Sequence, residues 1–365
     1  MVAKSVRKCF CSHPNDATQD LSANQPSQPT IKIGVVLPLS GKNDHIGERT
    51  FAAATLAFDE ATKNSKYNYE MIVDDDQLRR VLTTDIVETM CSVDKVDAFV
   101  TCFSEAAFVG RTFSEKYQVM HFAASWEDRI ADGKYNFAQN AKREDMIAKI
   151  LEQIKFWPDA KNVAILSDFV PGVGVLSHSL QVDLETAGYN VSLDMIHKEE
   201  KDFRPLIQKL KNQETDLFIL CLLPPALDTI VTQLHEAGIT NSNIFGTNFE
   251  PSQNLAALEG ARFISNSAPA EEFARKMDGK VSVLSVTVYD LVRLIIRAYE
   301  ANYQDGEEKP SNEMIAKYIL SLEPYDCAAV KSTVTPQGFI STPATVMTVK
   351  DGKVIVYDEL LAKAI

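Results

Sequence analysis

Residues Val96 to Asp128 read VDAFVTCFSEAAFVGRTFSEKYQVMHFAASWED. Two short apolar runs, Ala98 to Cys102 and Val119 to Ala124, flank a segment of helical character from Glu105 to Lys116. Neither run alternates apolar with polar residues, which is the pattern of parallel strands covered on both faces and joined by a crossover helix. Ser104 is then expected at the N-cap of that helix. Its hydroxyl and the free N–H groups of the first turn would face outward at the carboxyl end of a strand, where open α/β sheets hold anionic groups. The breaks at Phe103-Ser104 and Ser125-Trp126 are expected to be exposed.

The same alternation extends in both directions. Before the stretch come a strand in IKIGVVLPL, an exit loop SGKNDHIG, an alanine-rich helix from Glu48 to Ala61, a strand YNYEMIVDDD and a helix from Leu78 to Cys91. After it, YNFAQNA reads as a short extended piece. The pattern then restarts with a helix from Asp145 to Trp157, and runs on through strands at NVAILSD, NVSLDMI, DLFILCLL, NIFGTN and ARFISNS. Helices at Val173 to Ala187, Phe203 to Lys211 and Ala226 to Ala237 separate them. Two such series predict an α/β fold of two doubly wound, Rossmann-like lobes, because parallel strands require crossovers. Helices at Thr287 to Asn302 and Asn312 to Leu322, and a hairpin VMTVKDGKVIVYD with an Asp351-Gly352 turn, are too little for a third lobe. They are expected to return and complete the first two. The expected division is 31–141 plus 266–340 for one lobe and 142–265 plus 341–365 for the other, with hinge crossovers enclosing a cleft.

Composition narrows the function. The chain has 365 residues, 45% hydrophobic and 24% charged, enough for two cores, and a net charge of −13 that disfavours a nucleic-acid partner. No stretch reaches the ~20 apolar residues of a membrane span. Residues 1–30 are rich in Ser, Gln, Asn and Pro and lack hydrophobic periodicity, so they are expected to form a disordered tail. No apolar segment follows their basic residues, as a secretory leader would need. Cys9 and Cys11 followed by a polar leash have the shape of a lipoprotein start, but Val6-Arg7-Lys8 does not fit its small-residue box. Six cysteines in a chain this long are no disulfide framework, and Cys91, Cys102 and Cys221 are expected to be buried thiols.

No nucleophile elbow, phosphate-binding glycine loop or dinucleotide fingerprint follows any predicted strand, so no enzyme activity is expected. Pro171 to Gly174, PGVG, reads as a glycine-bearing loop before a helix that offers backbone to a ligand. Asp74-Asp75-Asp76 admits a hard-metal reading but is taken as a solvated strand exit. The histidines lack metal-ligand spacing, so no metal or cofactor is expected. His45 lies on a predicted cleft loop as a neutral hydrogen-bonding group.

From Ile31 to Asp358 the order of IGVVLPLSG with Gly47, VDDD, Ser104 and Ala107, HFAAS, Gly172/Gly174 after Asp168, Asp202-Phe203, Glu236-Ala237-Gly238, Phe245-Gly246-Thr247, Tyr289-Asp290 and KDGKVIVYD resembles the periplasmic-binding-protein type I family. The resemblance is to its leucine/isoleucine/valine-binding branch, which serves ABC transporters. It implies a non-catalytic protein that closes two lobes on an amino-acid-like molecule or a small organic acid or amide and delivers it to a permease. A ligand-sensing receptor of the same fold is the alternative. A periplasmic or lipid-anchored site is implied, with a cytoplasmic one left open.

By the same resemblance Ser104, flanked by Phe103, holds the ligand carboxylate with backbone at Ala124 and a hydroxyl from the next loop. Here Ser125 precedes Trp126 at that hydroxyl position. The first-loop aromatic is replaced by Ile46, the second-lobe acid that meets an ammonium by Asn248, and the second-lobe tyrosine by the Leu223-Pro224 region. Glu250 stands two residues beyond Asn248. Losing a carboxylate partner for a desolvated ammonium costs on the order of 2–5 kcal/mol, so these departures argue against an α-amino acid, while a shift of the loop that brings Glu250 to the acid's place keeps one open.

Overall fold

The computed structural model describes residues 7–12, 28–41, 44–197, 200–266, 269–278, 281–304, 308–328 and 331–357. The chain forms two compact units, Met1–Asn140 with Pro269–Thr342, and Ala141–Ala268 with Pro343–Ile365.

The elements run in chain order as follows. Unit 1 begins with β1 (Lys8–Ser12), β2 (Thr30–Leu37), α1 (Asp44–Thr62), β3 (Asn68–Asp75), α2 (Arg80–Thr89), β4 (Ala98–Cys102), α3 (Ser104–Tyr117), β5 (Met120–Ala124) and β6 (Asn136–Ala141). Unit 2 follows with α4 (Arg143–Ile154), β7 (Asn162–Asp168), α5 (Pro171–Thr186), β8 (Asn190–Ile196), α6 (Arg204–Asn212), β9 (Leu217–Cys221), α7 (Ala226–Glu236), β10 (Ile244–Thr247) and β11 (Arg262–Asn266). The chain then returns to unit 1 as α8 (Glu271–Lys276), α9 (Val283–Ala301), α10 (Asn312–Leu320), β12 (Tyr325–Asp326), β13 (Lys331–Val334) and β14 (Phe339–Thr342). It finishes unit 2 with β15 (Ala344–Lys350) and β16 (Lys353–Val356).

The sheet of unit 1 has the order β1-β3-β2-β4-β5-β6-β14-β13-β12, and that of unit 2 β16-β15-β11-β10-β9-β7-β8. Each contains the same parallel core, in which the first strand of the series lies between the second and the third. The winding direction reverses at β2/β4 in unit 1 and at β7/β9 in unit 2. Those switch points leave a crevice at the strand carboxyl ends.

Burial explains the helices. Along α1, Gly47, Thr50, Ala53, Ala54, Ala57 and Phe58 fall on one buried stripe. Small side chains there let α1 lie against α9, which opens with a reciprocal Ser282–Ser285 capping box and buries thirteen of its nineteen residues. Each large aliphatic side chain so buried contributes roughly 1.5–3 kcal/mol. At Gly47 an added Cβ would lie 2.1 Å from the Pro38 carbonyl oxygen, so only glycine lets the first turn of α1 meet the exit of β2.

Several expectations are corrected. Residues 8–12, assigned to the disordered tail, form β1, which pairs antiparallel with β3 from Lys8↔Val73 to Ser12↔Tyr69. Phe10 packs at a 50° tilt against Phe51 and Arg7 bonds Asp94, so side chains beyond the strand itself hold it. Thr30 already belongs to β2, and the tail from 13 to 27 lies outside the described residues. α1 starts at Asp44, so His45 and Ile46 stand in a helix rather than a loop. Pro171 to Gly174 is likewise not a loop but the first turn of α5. YNFAQNA is a full strand, β6, paired parallel with β5. Three short strands, β12 to β14, were not foreseen.

The Asp351-Gly352 turn has φ of +53° and +67°, the left-handed pair that a two-residue type I′ hairpin requires. All six cysteines are free; Cys91, Cys102 and Cys221 are buried, and Cys9 and Cys11 are exposed on β1.

Candidate functional site

In unit 1 the switch point is built from the exits of β2, β4 and β5. The β2 exit is held by Asp75, whose fully buried carboxylate accepts from Leu39 N (2.8 Å), Ser40 N (3.2 Å), Ser40 Oγ (2.5 Å) and Gln77 N (3.1 Å). Asp76 accepts from Leu78 N and Thr83 Oγ1. The acidic triplet is therefore buried rather than a solvated strand exit: Asp75 and Asp76 spend their oxygens on nearby N–H groups and hydroxyls, and Asp74 faces Arg7 at 3.9 Å. Among the described residues no three His, Cys, Asp or Glu are arranged to hold a metal ion.

Ser104 is not the N-cap of α3 but its first residue. The cap position belongs to Phe103, at φ 71° and ψ 155°, and its side chain makes no capping bond. A non-glycine residue in that region costs on the order of 1–3 kcal/mol, and it persists here because the surroundings fix it. Phe103 N donates to Ala124 O (3.0 Å), Ala107 N donates to Phe103 O (3.0 Å), and the Phe103 ring packs against the core. The strained residue swings Ser104 toward the β5 exit. There Ser104 Oγ lies 3.1 Å from Ser125 Oγ, which also accepts from Glu127 N at 3.1 Å. Two hydroxyls thus meet at the start of a fourteen-residue helix that no side chain caps. Oriented N–H groups, a positive dipole end and two hydroxyls are a carboxylate-binding arrangement.

Ser125 is buried and Trp126 half-buried, so this break is less exposed than the sequence suggests. Glu127, beneath, is held by both Nε and Nη2 of Arg129. His45 and Ile46 are half-buried in the first turn of α1, and His45 Nε2 is enclosed without a hydrogen-bond partner among the described residues.

In unit 2 the switch point joins the exits of β7 and β9. Buried Asp168 accepts from Leu223 N at 2.6 Å. Pro171 begins α5 immediately beyond. At the β10 exit Asn248 adopts φ +60° and donates its N–H to Ile264 O, while Phe249 buries its ring on Phe263. Glu250 Oε1 accepts from Ser265 Oγ at 2.8 Å, so this acid is engaged within its own sheet. The sequence-predicted residues therefore fall into two groups. Phe103, Ser104, Ala124, Ser125, Trp126, His45 and Ile46 lie at the strand ends of unit 1, and Pro171, Leu223, Asn248 and Glu250 at those of unit 2.

Sequence reasoning missed Phe169. It leaves β7 at the unit 2 switch point with 68% of its surface exposed and stacks on His197, which follows β8, at 5.7 Å between centroids. Its signal in the sequence is an aromatic directly after the strand-ending Ser167-Asp168. Two surface depressions of unit 1, of about 650 and 270 Å³, lie along α10 and α9 and touch none of the predicted site residues.

Comparison with known proteins places this geometry. The family described as periplasmic binding protein matches residues 30–353. No curated protein matches the sequence. Among solved structures, a leucine-binding protein, LivK, from Thermotoga maritima superposes with a TM-score of 0.78 at 17% identity, over 90% of this chain and 98% of its own. The branched-chain amino acid transporter substrate-binding protein LivJ from Streptococcus pneumoniae, in complex with isoleucine, gives 0.74 at 18% identity over 89% and 98%. A solute-binding protein of an ABC transporter from R. palustris, in complex with 4-hydroxybenzoate, gives 0.77 at 18% over 90% and 96%. At these identities the likeness establishes the fold.

Proposed function

Because this chain belongs to the periplasmic binding protein family, we propose that it is a non-catalytic solute-binding protein acting outside the cytoplasmic membrane. Its two units would close on a small carboxylate and hand it to an ABC transporter permease. The observation that carries this reading is the meeting of Ser104 and Ser125 hydroxyls at the uncapped start of α3, beside the unit 1 switch point. The absence of a nucleophile–base constellation in the sequence supports binding without turnover. No helix among the described residues is long and apolar enough to cross a membrane, so delivery calls for a separate permease. A carboxylate without an α-ammonium fits better than an amino acid, since the residue at the second-lobe acid position, Asn248, is neutral.

Two tests follow. Ser104→Ala should weaken binding of the cognate carboxylate by about 1–2 kcal/mol, roughly five- to thirtyfold in Kd, with unchanged melting temperature. Isothermal titration measures it, and an unchanged Kd would reduce Ser104 to a helix residue. Tryptophan emission supplies the second. Trp157 is packed edge-on against Phe245 beneath the Arg262 guanidinium, with its Nε1–H on the Ser242 carbonyl. Trp126 sits at the strand ends, so ligand should alter emission in Trp157→Phe but not in Trp126→Phe. A signal that survives only in Trp126→Phe would move the ligand away from Trp126.

A further inference from the structure

We infer that this protein forms a two-fold, disulfide-linked dimer through β1, in which Cys9 of each copy bonds Cys11 of the other. The inference concerns unit 1 alone and is independent of the ligand.

Topology gives the first argument. β1 is the terminal strand of its sheet, paired with β3 on one side and, among the described residues, with no strand on the other. Such an edge offers unpaired N–H and C=O groups to a further strand. Side-chain direction gives the second. Phe10 packs on Phe51, and Lys8 Nζ lies 3.9 Å from the centre of the same ring, so both point to the α1 face. Strand alternation then puts Cys9 and Cys11 together on the opposite face, where both are exposed and free.

No thiol of the same chain serves either of them. Cys91, Cys102 and Cys221 are buried, and Cys327 Sγ donates to Ser332 Oγ at 3.1 Å. Nor do Cys9 and Cys11 suit each other. Same-face neighbours on a strand lie about 6.6–6.8 Å apart at Cα with parallel Cα–Cβ bonds, whereas a disulfide brings its Cβ atoms within about 4.5 Å. An antiparallel β1–β1 pair centred on Phe10 removes the mismatch. In that register Cys9 stands opposite Cys11 of the second copy, and the two-fold axis sets Cys11 opposite its Cys9. Directly opposed residues are about 4.5 or 5.5 Å apart at Cα, and a disulfide spans both. Lys8 then faces Ser12 of the second copy, so no like charges oppose across the seam.

Five residues of strand bury far less than the ~1,200–2,000 Å² of a stable interface, so the bonds rather than the area hold the pair. Each bond joins one Cys9 Sγ to one Cys11 Sγ. The two protons and two electrons that these thiols give up reduce a small disulfide, such as oxidised glutathione, to two thiols. The edge is thus open under reducing conditions and closed under oxidising ones.

The test incubates the full-length protein with oxidised glutathione and reads non-reducing gels and intact mass. The parent should be a monomer in dithiothreitol and, after oxidation, a covalent dimer with Cys9 and Cys11 of both copies consumed. Cys9→Ser and Cys11→Ser, each alone, should give less than about a tenth of that dimer, because the surviving thiols are diagonal neighbours about 7–8 Å apart. Mixing the two variants should restore a dimer with a single bond, from Cys11 of the first variant to Cys9 of the second. Both positions are exposed, so each variant should keep the parent's melting temperature. A single variant that dimerises as fully as the parent overturns the inference, since thiols that collide without register behave that way. So does a mixture that stays monomeric, or a parent that stays monomeric with its thiols free, capped by glutathione or joined within one chain.

Discussion

Asp75→Ala should lower the unfolding free energy of unit 1 by about 4 kcal/mol. The carboxylate is fully buried and accepts from three backbone N–H groups and one hydroxyl, all from the segments that leave β2 and β3. Removing it strands those donors, and each buried donor left unmatched costs about 1–3 kcal/mol, less whatever water recovers. Asp75→Asn keeps one carbonyl oxygen for the Leu39 and Ser40 N–H groups and should lose about half as much. Urea unfolding of both variants measures the difference. A loss below about 1 kcal/mol for Asp75→Ala would mean that the loop satisfies itself by other means. Since Leu39 and Ser40 border the switch point, ligand affinity should fall alongside stability.

A second large effect lies in the pH dependence of unit 1, where two buried side chains pull stability in opposite directions. His121 is enclosed between Thr101 Oγ1 at 2.8 Å and Asn136 Oδ1 at 2.9 Å, and burial pushes its imidazole down to about 4. The unfolded ring takes a proton near its ordinary 6.5. Its contribution is therefore complete above that value and is lost as pH falls toward 4, about 3 kcal/mol in all. Asp290 does the reverse. Burial raises its carboxyl from 3.8 to about 7 despite the Ala328 N–H at 2.7 Å. The folded chain then holds a proton that the unfolded chain releases, so stability falls by about 4 kcal/mol as pH rises through 7.

In the parent these slopes largely cancel, and single variants uncover them. From about pH 4 to about pH 7.5 the stability of Asp290→Asn relative to the parent should rise by about 4 kcal/mol. That of His121→Gln should fall by about 3 kcal/mol over the same range. Asparagine suits position 290, because its amide can donate to the buried Gln139 Oε1, which has no partner among the described residues. Chemical denaturation across the pH range provides both difference curves. Flat curves for either variant would show that the side chain is hydrated in the folded protein.

The strands and crossover helices were legible in the sequence because a strand buried on both faces must be a short apolar run between turn residues. Val96 to Asp128 carries that signal without long-range information. The meeting of Ser104 and Ser125 was legible in part, since both follow strands that the apolar runs mark. What local sequence could not show is geometry set by partners far along the chain. β1 has no periodicity of its own; its pairing depends on β3, Phe51 and Asp94. Phe103 in a region that disfavours side chains is unreadable from propensity, because the exit of β5 imposes it. The Phe169–His197 stack joins residues from two separate loops, and no motif links them.

The last strands carry a consequence for biosynthesis. β14, ending at Thr342, joins the sheet of unit 1, and β15, starting at Ala344, joins the sheet of unit 2, so one proline separates the closing strands of both units. A ribosome delivers helices α1 to α10 before either sheet has the strands described here. Domains usually fold one after another as they emerge, the N-terminal first. Here neither unit can be completed until nearly the whole chain has left the exit tunnel. β6 thus waits as an open edge from residue 141 until β14 arrives at 339, and β11 from residue 266 until β15 arrives at 344, so the edge of unit 1 is the one exposed longer to unwanted pairing.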